Sequence, residues 1–121
     1  MIVAYWIVAG LLALFFLYSG GVKVVRRVDK LRPMMGWVDA VPLAALRAIG
    51  MLEVLAAIGL ILPPLTNIVP ALALAAAVGL AVLQLAAIGV HLRRGEATLI
   101  GLNLVLLALS AVTIWLATVW L

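Results

Sequence analysis

The sequence has no cysteine and a single histidine, and both shortages limit its chemistry. Without cysteine the chain forms no disulfide, binds no thiolate-ligated iron–sulfur cluster and runs no thiol relay of its own. One histidine excludes a bis-histidine haem held by this chain alone. The sequence also shows no convergent set of metal ligands, no glycine-rich nucleotide loop and no Ser/His/Asp set. Any redox reaction would therefore need an outside cofactor or a partner.

Charge is scarce as well. Only 10% of the 121 residues are charged and 69% are hydrophobic. A soluble domain with so little polar surface would precipitate, so the composition indicates a protein whose partner is the lipid bilayer.

Four apolar runs have the length that a membrane-spanning helix needs, which is about 20 residues at 1.5 Å per residue. They cover about 2–23, 42–62, 69–91 and 97–120, within one domain over 1–121. The second run reaches that length only if Arg47 near its start snorkels to the headgroups. We therefore predict an all-α fold, a four-transmembrane-helix bundle. We expect Pro63 and Pro64 to end the second helix and Pro70 to start the third.

The N-terminus differs from a cleavable signal peptide, because its first 22 residues carry no charge and it lacks a basic leading segment. We expect it to be a retained span.

Basic residues follow the first and third helices, whereas the connection between the second and third has no charge. We expect the protein to lie in a plasma or inner membrane. The positive-inside rule then places the basic connections on the cytoplasmic side and both termini on the opposite side. The net charge of +4 then needs no nucleic-acid partner, because basic residues beside anionic headgroups explain it. The membrane-surface set is Arg26, Arg27, Lys30, Arg32, Arg93 and Arg94.

The connection 24–41 begins with apolar residues at helical spacing, separated by basic ones. We expect the first helix to continue past the membrane surface or to bend along it, and to stop before Pro33.

Glu53 is the one acidic side chain inside the second run. It precedes Leu62 by nine residues, so it lies about 13 Å below the outer surface. An ionised carboxylate facing lipid there would cost at least ~2.5 kcal/mol, so Glu53 must face protein, be protonated, or both. Small residues at offsets of three and four, Gly50, Ala56 and Ala57, indicate that it faces a seam between helices.

The direction of helical side chains suggests which residues meet Glu53. Because Cα–Cβ bonds tilt toward a helix N-terminus, Glu53 leans inward while Lys23 and His91 lean outward. We hypothesise a polar cluster of Lys23, Glu53, Gln84 and His91, with an ion pair between the first two. Tyr18 and Asn103 are further candidate contacts.

Each member also has a structural interpretation. Lys23 could simply snorkel at a helix end, and His91 could be an interfacial residue. Gln84 and Asn103 could join helices by hydrogen bonds, and Glu53 could form a purely structural pair.

Three segments together resemble a known family. They are "FFLYSGGVKVV", "IGMLEVLAAIGLILPP" and "LAAIGVHLRRGE", and they look like the DoxX-like family of small four-helix membrane proteins. The family's G-x-x-K falls on Gly20 and Lys23, although the doubled glycine at Gly21 loosens that register. The family's glutamate falls on Glu53, and its Gly-Leu-x-x-Pro segment falls on Gly59, Leu60 and Pro63. Its histidine with a basic pair falls on His91, Arg93 and Arg94.

The resemblance implies several roles. Members are associated with quinone-linked oxidation of sulfur compounds, with membrane complexes that handle oxidative stress and, in distant relatives, with escorting other membrane proteins. A non-enzymatic binding or accessory subunit ranks first, with a lipophilic small molecule, a membrane complex or a second copy of the chain as partner. A quinone-linked oxidoreductase component ranks second, with a quinone as its possible cofactor.

A third class is proton-coupled export. Small multidrug transporters are four-helix chains of similar length with one membrane glutamate, but theirs lies in the first helix. Here Glu53 lies in the second, after a long basic connection.

Overall fold

The computed structural model describes residues 1–26 and 42–121 and contains only helices there. They are α1 (Ile2–Val25), α2 (Leu43–Thr66), α3 (Leu72–Arg93) and α4 (Gly101–Ala117), with one-turn 3-10 helices at Ala97–Leu99 and Thr118–Trp120. Four segments are long and apolar enough to cross a membrane, the fourth being Gly101–Trp120. The predicted all-α, four-helix architecture is therefore confirmed.

The helices form a closed ring in chain order. Each packs against its neighbours in sequence, and α1 also contacts α4. Because successive helices run antiparallel, α1 ends beside the start of α2, and α3 ends beside the start of α4. This end carries Arg26, Arg47, Arg93 and Arg94, and we call it the basic end. Both termini lie at the opposite end.

Buried residues follow one stripe on α2 and on α3, at alternating steps of three and four, and a broader stripe on α1 and α4. This spacing keeps one face of a helix toward its neighbours, as in a coiled-coil seam. On α2 the stripe is Leu46, Gly50, Glu53, Ala57, Leu60 and Pro64, and on α3 it is Ala73, Ala77, Leu80 and Gln84. The remaining faces expose large apolar side chains such as Leu11, Leu55 and Leu85, which suit contact with lipid tails.

The expectation that Pro63 and Pro64 end the second helix is wrong. Both lie inside α2, which ends at Thr66 and is capped by Asn67 in a left-handed conformation with φ of 57°. Pro64 lacks the N–H that would bond to the carbonyl of Leu60. The Tyr5 hydroxyl donates to that carbonyl instead, at 2.5 Å. An acceptor that proline would leave unpaired in an apolar core is thus satisfied from α1, and the helix continues.

Two helix starts lie later than the apolar runs suggest. Pro70 belongs to a turn in which Leu72 N–H donates to Val69 O, and α3 starts at Leu72. A 3-10 turn over Ala97–Leu99 precedes α4. The predicted helix beyond α1 falls mostly on residues 27–41, which lie outside the described residues. Within the described part, α1 ends at Val25 and Arg26 is extended.

Candidate functional site

Two glycines bring the backbones of α1 and α2 into contact. A Cβ atom added to Gly20 would lie 2.6 Å from the carbonyl oxygen of Gly50, and one added to Gly50 would lie 2.7 Å from the carbonyl oxygen of Gly20. Both distances are shorter than real Cβ contacts, so any larger residue would push the helices apart. The crossing point of the seam therefore requires glycine on both helices.

The same crossing places Lys23 and Glu53 together. Each follows its glycine by three residues, and the added Cβ atoms would lie 2.9 Å from Glu53 Cβ and 2.7 Å from Lys23 Cβ. Lys23 Nζ donates to Glu53 Oε1 at 2.6 Å and to Ser19 Oγ at 3.0 Å. The side chains are 8% and 5% exposed, so this ion pair is buried. Lys23 reaches back along α1 toward Ser19, as the tilt of helical side chains predicts.

Glu53 has one oxygen that the protein leaves unpaired. Oε2 is buried and has no hydrogen-bond partner among residues 1–26 and 42–121. A buried polar atom without a partner costs about 1–3 kcal/mol, and more when it is charged. Oε2 is therefore an acceptor held in the seam and available to a donor that the described protein does not supply.

Gln84 and Asn103 form a second polar pair. Asn103 Nδ2 donates to Gln84 Oε1 at 3.0 Å, which joins α3 to α4. A Cβ added to Gly59 would lie 3.1 Å from Ala76 Cβ, and this contact sets the register of α2 against α3. Glu53 precedes Gly59 by six residues and Gln84 follows Ala76 by eight, so in antiparallel helices their depths differ by about 3 Å. The two pairs share a level of the bundle.

His91 belongs to a third group, at the basic end. Its Nδ1 lies 3.1 Å from Glu96 Oε1, and Arg94 Nε donates to the same oxygen at 2.8 Å. The chain turns back at Gly95, whose φ is 71°, and Glu96 N–H donates to the His91 carbonyl. The hydrogen bond from Arg94, followed by that from His91, holds the pKa of Glu96 below its usual range.

Residues from each of the three motifs that suggested a family lie in these groups: Lys23 and Glu53 in the first, and His91 with Arg94 in the third. A model of the DoxX-like family matches residues 7–113, which include all three motifs. The chain belongs to the DoxX-like family. No curated protein and no solved structure matches it significantly.

In this DoxX-like chain the four-residue cluster predicted from the sequence is divided. Lys23 contacts Glu53, Gln84 contacts Asn103, and His91 contacts Glu96, and the structure gives no hydrogen bond between these groups within the described ranges. His91 lies beyond the deep part of the seam, and a carboxylate five residues further along the chain meets it there.

The other predicted residues lie at the surface. Tyr18 is 56% exposed and points away from the seam, although Ser19 beside it is buried. Arg26, Arg93 and Arg94 are exposed at the basic end. Arg27, Lys30 and Arg32 lie outside the described residues.

Sequence reasoning missed two contacts. We expected Arg47 to snorkel, but its guanidinium is half-buried and donates to the backbone carbonyl of Lys23. The last four carbonyls of a helix lack partners, so a basic residue opposite the end of α1 was the available signal. For Glu96 the signal was a carboxylate shortly after a histidine and two arginines.

None of the three polar groups resembles a metal centre. The described residues contain no group of three or more His, Cys, Asp or Glu side chains that could hold a metal ion.

An open apolar groove runs along the outside of α1, with one residue of α2 at its edge. Its lining residues are Ile7, Gly10, Leu11, Ala13, Leu14, Leu17 and Ile61. Leu17 precedes Gly20 by three residues and Glu53 follows Gly50 by three, so the glycine crossing places them at the same depth. The groove thus starts at the level of Glu53 and runs about 15 Å toward the end with the termini.

Proposed function

We propose that this DoxX-like membrane protein is a non-enzymatic binding or accessory subunit, with a site centred on Glu53 for a lipophilic molecule. The observation that carries the proposal is the buried Oε2 atom beside the Lys23–Glu53 ion pair, which has no hydrogen-bond partner in the part of the chain that the structure describes. An intramembrane carboxylate is costly to keep, and a fold that needed only a neutral seam could use apolar residues there.

A buried acceptor and an apolar groove at the same depth support a ligand with a polar head and an apolar tail. Oε2 offers a hydrogen-bond acceptor, and the apolar groove begins at the same depth and continues along α1. Gln84 provides a second polar side chain at nearly this level. A tail in the groove would replace lipid chains at little cost, while the head would satisfy the buried oxygen.

The proposal can be tested by identifying what purifies with the protein. Native mass spectrometry of the wild-type chain should show a bound lipophilic molecule, and E53Q should lose it. E96Q is the matched control, because it makes the same change from carboxylate to amide at the basic end and should retain the molecule. A wild-type protein that carries nothing, or an E53Q protein that keeps its ligand, would contradict the proposal.

The same measurement separates other roles. A bound quinone would connect the site to the quinone-linked oxidation that the family resemblance implies. A bound polypeptide, or a second copy of this chain, would indicate an accessory subunit. Proton-coupled export of cations is less compatible with the geometry, because Lys23 already neutralises Glu53 at 2.6 Å.

We also propose that the basic end faces the cytoplasm of a plasma or inner membrane, which follows from the positive-inside rule. A reporter fused after Leu121 should then be extracytoplasmic and one inserted near Gly95 cytoplasmic. The opposite result would reverse the orientation and leave the geometry of the seam unchanged.

A further inference from the structure

The charge balance around Glu53 restricts what could bind there. Lys23 Nζ lies 2.6 Å from Oε1, so the pair has no net charge, and the Arg47 guanidinium donates to the backbone of Lys23 at the same seam. Because Lys23 already compensates the charge of Glu53, a cationic ligand would gain little net attraction from the pair, even in a medium of low dielectric constant where charge interactions are strong.

The hydrogen-bond polarity of Glu53 adds a second restriction. An ionised carboxylate only accepts hydrogen bonds, and a lysine ammonium only donates them. Oε1 is occupied by Lys23, so Oε2 is the atom left for a ligand. A group that satisfies Oε2 must carry an O–H or N–H.

From these observations, and on the basis of the proposed function, we infer that the ligand is a neutral amphiphile whose head donates a hydrogen bond to Glu53 Oε2. A long-chain alcohol has the required chemistry, whereas an ether of the same length lacks the donor and an alkylammonium has the wrong charge. The groove beginning at Leu17 would take the tail.

Glu53→Gln gives this inference a sharp test. In the variant the amide carbonyl must turn toward Lys23, because lysine offers only donors. The amide NH₂ then points where Oε2 was and presents a donor in place of an acceptor. The seam keeps its shape, but its preference should change from ligands that donate to ligands that accept.

The probes are 1-dodecanol, dodecyl methyl ether and dodecyltrimethylammonium, each titrated as a mole fraction of detergent and measured by native mass spectrometry. Wild type should bind the alcohol at least about tenfold more tightly than the ether, as a hydrogen bond to a charged group implies. The ammonium should bind no better than the ether. In E53Q the alcohol should lose its advantage, because ether and alcohol oxygens both accept, whereas E96Q should behave as wild type.

Equal binding of alcohol and ether to the wild type, or a preference for the ammonium, would overturn the inference. If the wild type retains a purified ligand but binds none of the probes, the neutral-donor class is wrong although the site exists. If no ligand purifies and no probe binds, Oε2 is satisfied by water alone and the proposed function fails with the inference. The wild-type series decides the matter even if E53Q does not fold.

Discussion

The Lys23–Glu53 pair should respond asymmetrically to the loss of either partner. Removing one member of a buried ion pair typically costs about 3–5 kcal/mol when the survivor remains buried. Both side chains are buried here, so this range is the starting point. The two survivors differ in whether they can reach water.

After Glu53→Gln, Lys23 retains acceptors that include the new amide carbonyl and Ser19 Oγ at 3.0 Å. It also lies two residues from the end of α1, so its long side chain can reach toward the basic end. We expect a loss of about 3 kcal/mol or less. After Lys23→Met, Glu53 lies mid-helix with a short side chain and no counter-ion, so we expect a loss in the full range of about 3–5 kcal/mol.

A double-mutant cycle measures this coupling, through melting temperatures in detergent of the wild type, the two single variants and the double variant. The double variant should recover part of the loss, because it leaves no unpaired charge in the seam. Additive losses would show that the pair contributes no coupling energy. A Glu53→Gln protein that is less stable than Lys23→Met would refute the reasoning about escape to the surface.

Three other perturbations test contacts outside the ion pair. Gly50→Ala should destabilise the bundle, because its Cβ would lie 2.7 Å from a facing carbonyl oxygen. The control Gly10→Ala meets nothing within 4 Å and should be neutral or stabilising by up to ~1 kcal/mol. Equal melting temperatures of the two variants would contradict the close crossing. Tyr5→Phe should cost about 1–3 kcal/mol of stability by leaving the Leu60 carbonyl unpaired. The cost should shrink in a Pro64→Ala background, which restores the missing backbone N–H. An unchanged cost would show that the Tyr5 hydroxyl does not replace that N–H. The pKa of Glu96 is lowered in the folded state, so its stabilising contribution is present above the pKa of the unfolded state and is lost as the pH falls through the pKa of the folded state. The difference in melting temperature between wild type and E96Q should therefore disappear in acid. A difference that stays constant with pH would contradict this linkage.

Much of the fold followed from composition and spacing. Apolar runs of sufficient length predicted the helices, and the tilt of side chains along antiparallel helices indicated that Lys23 and Glu53 lean toward each other. These inferences depend on backbone geometry that every helix shares, so one sequence suffices for them.

Contacts that depend on a particular neighbour were harder to predict. Pro64 normally disfavours a helix, and only the position of Tyr5 on another helix shows that its lost hydrogen bond is replaced. His91 was assigned to the Glu53 cluster because the tilt of helical side chains makes the two lean toward each other, but Glu96 meets His91 first. A sequence pattern gives the face and the depth of a residue but not which of several nearby partners is close enough to bond.

The glycine crossing connects stability with the proposed binding. It sets the distance between α1 and α2 and thereby the 2.6 Å contact that occupies Oε1, and it also fixes the depth of Leu17 relative to Glu53. Widening the seam at Gly50 would therefore weaken the ion pair and move the polar head site away from the apolar groove together. A lipophilic ligand that uses both should lose affinity in Gly50→Ala even under conditions where the bundle remains folded, because the separation of its two contacts would have changed.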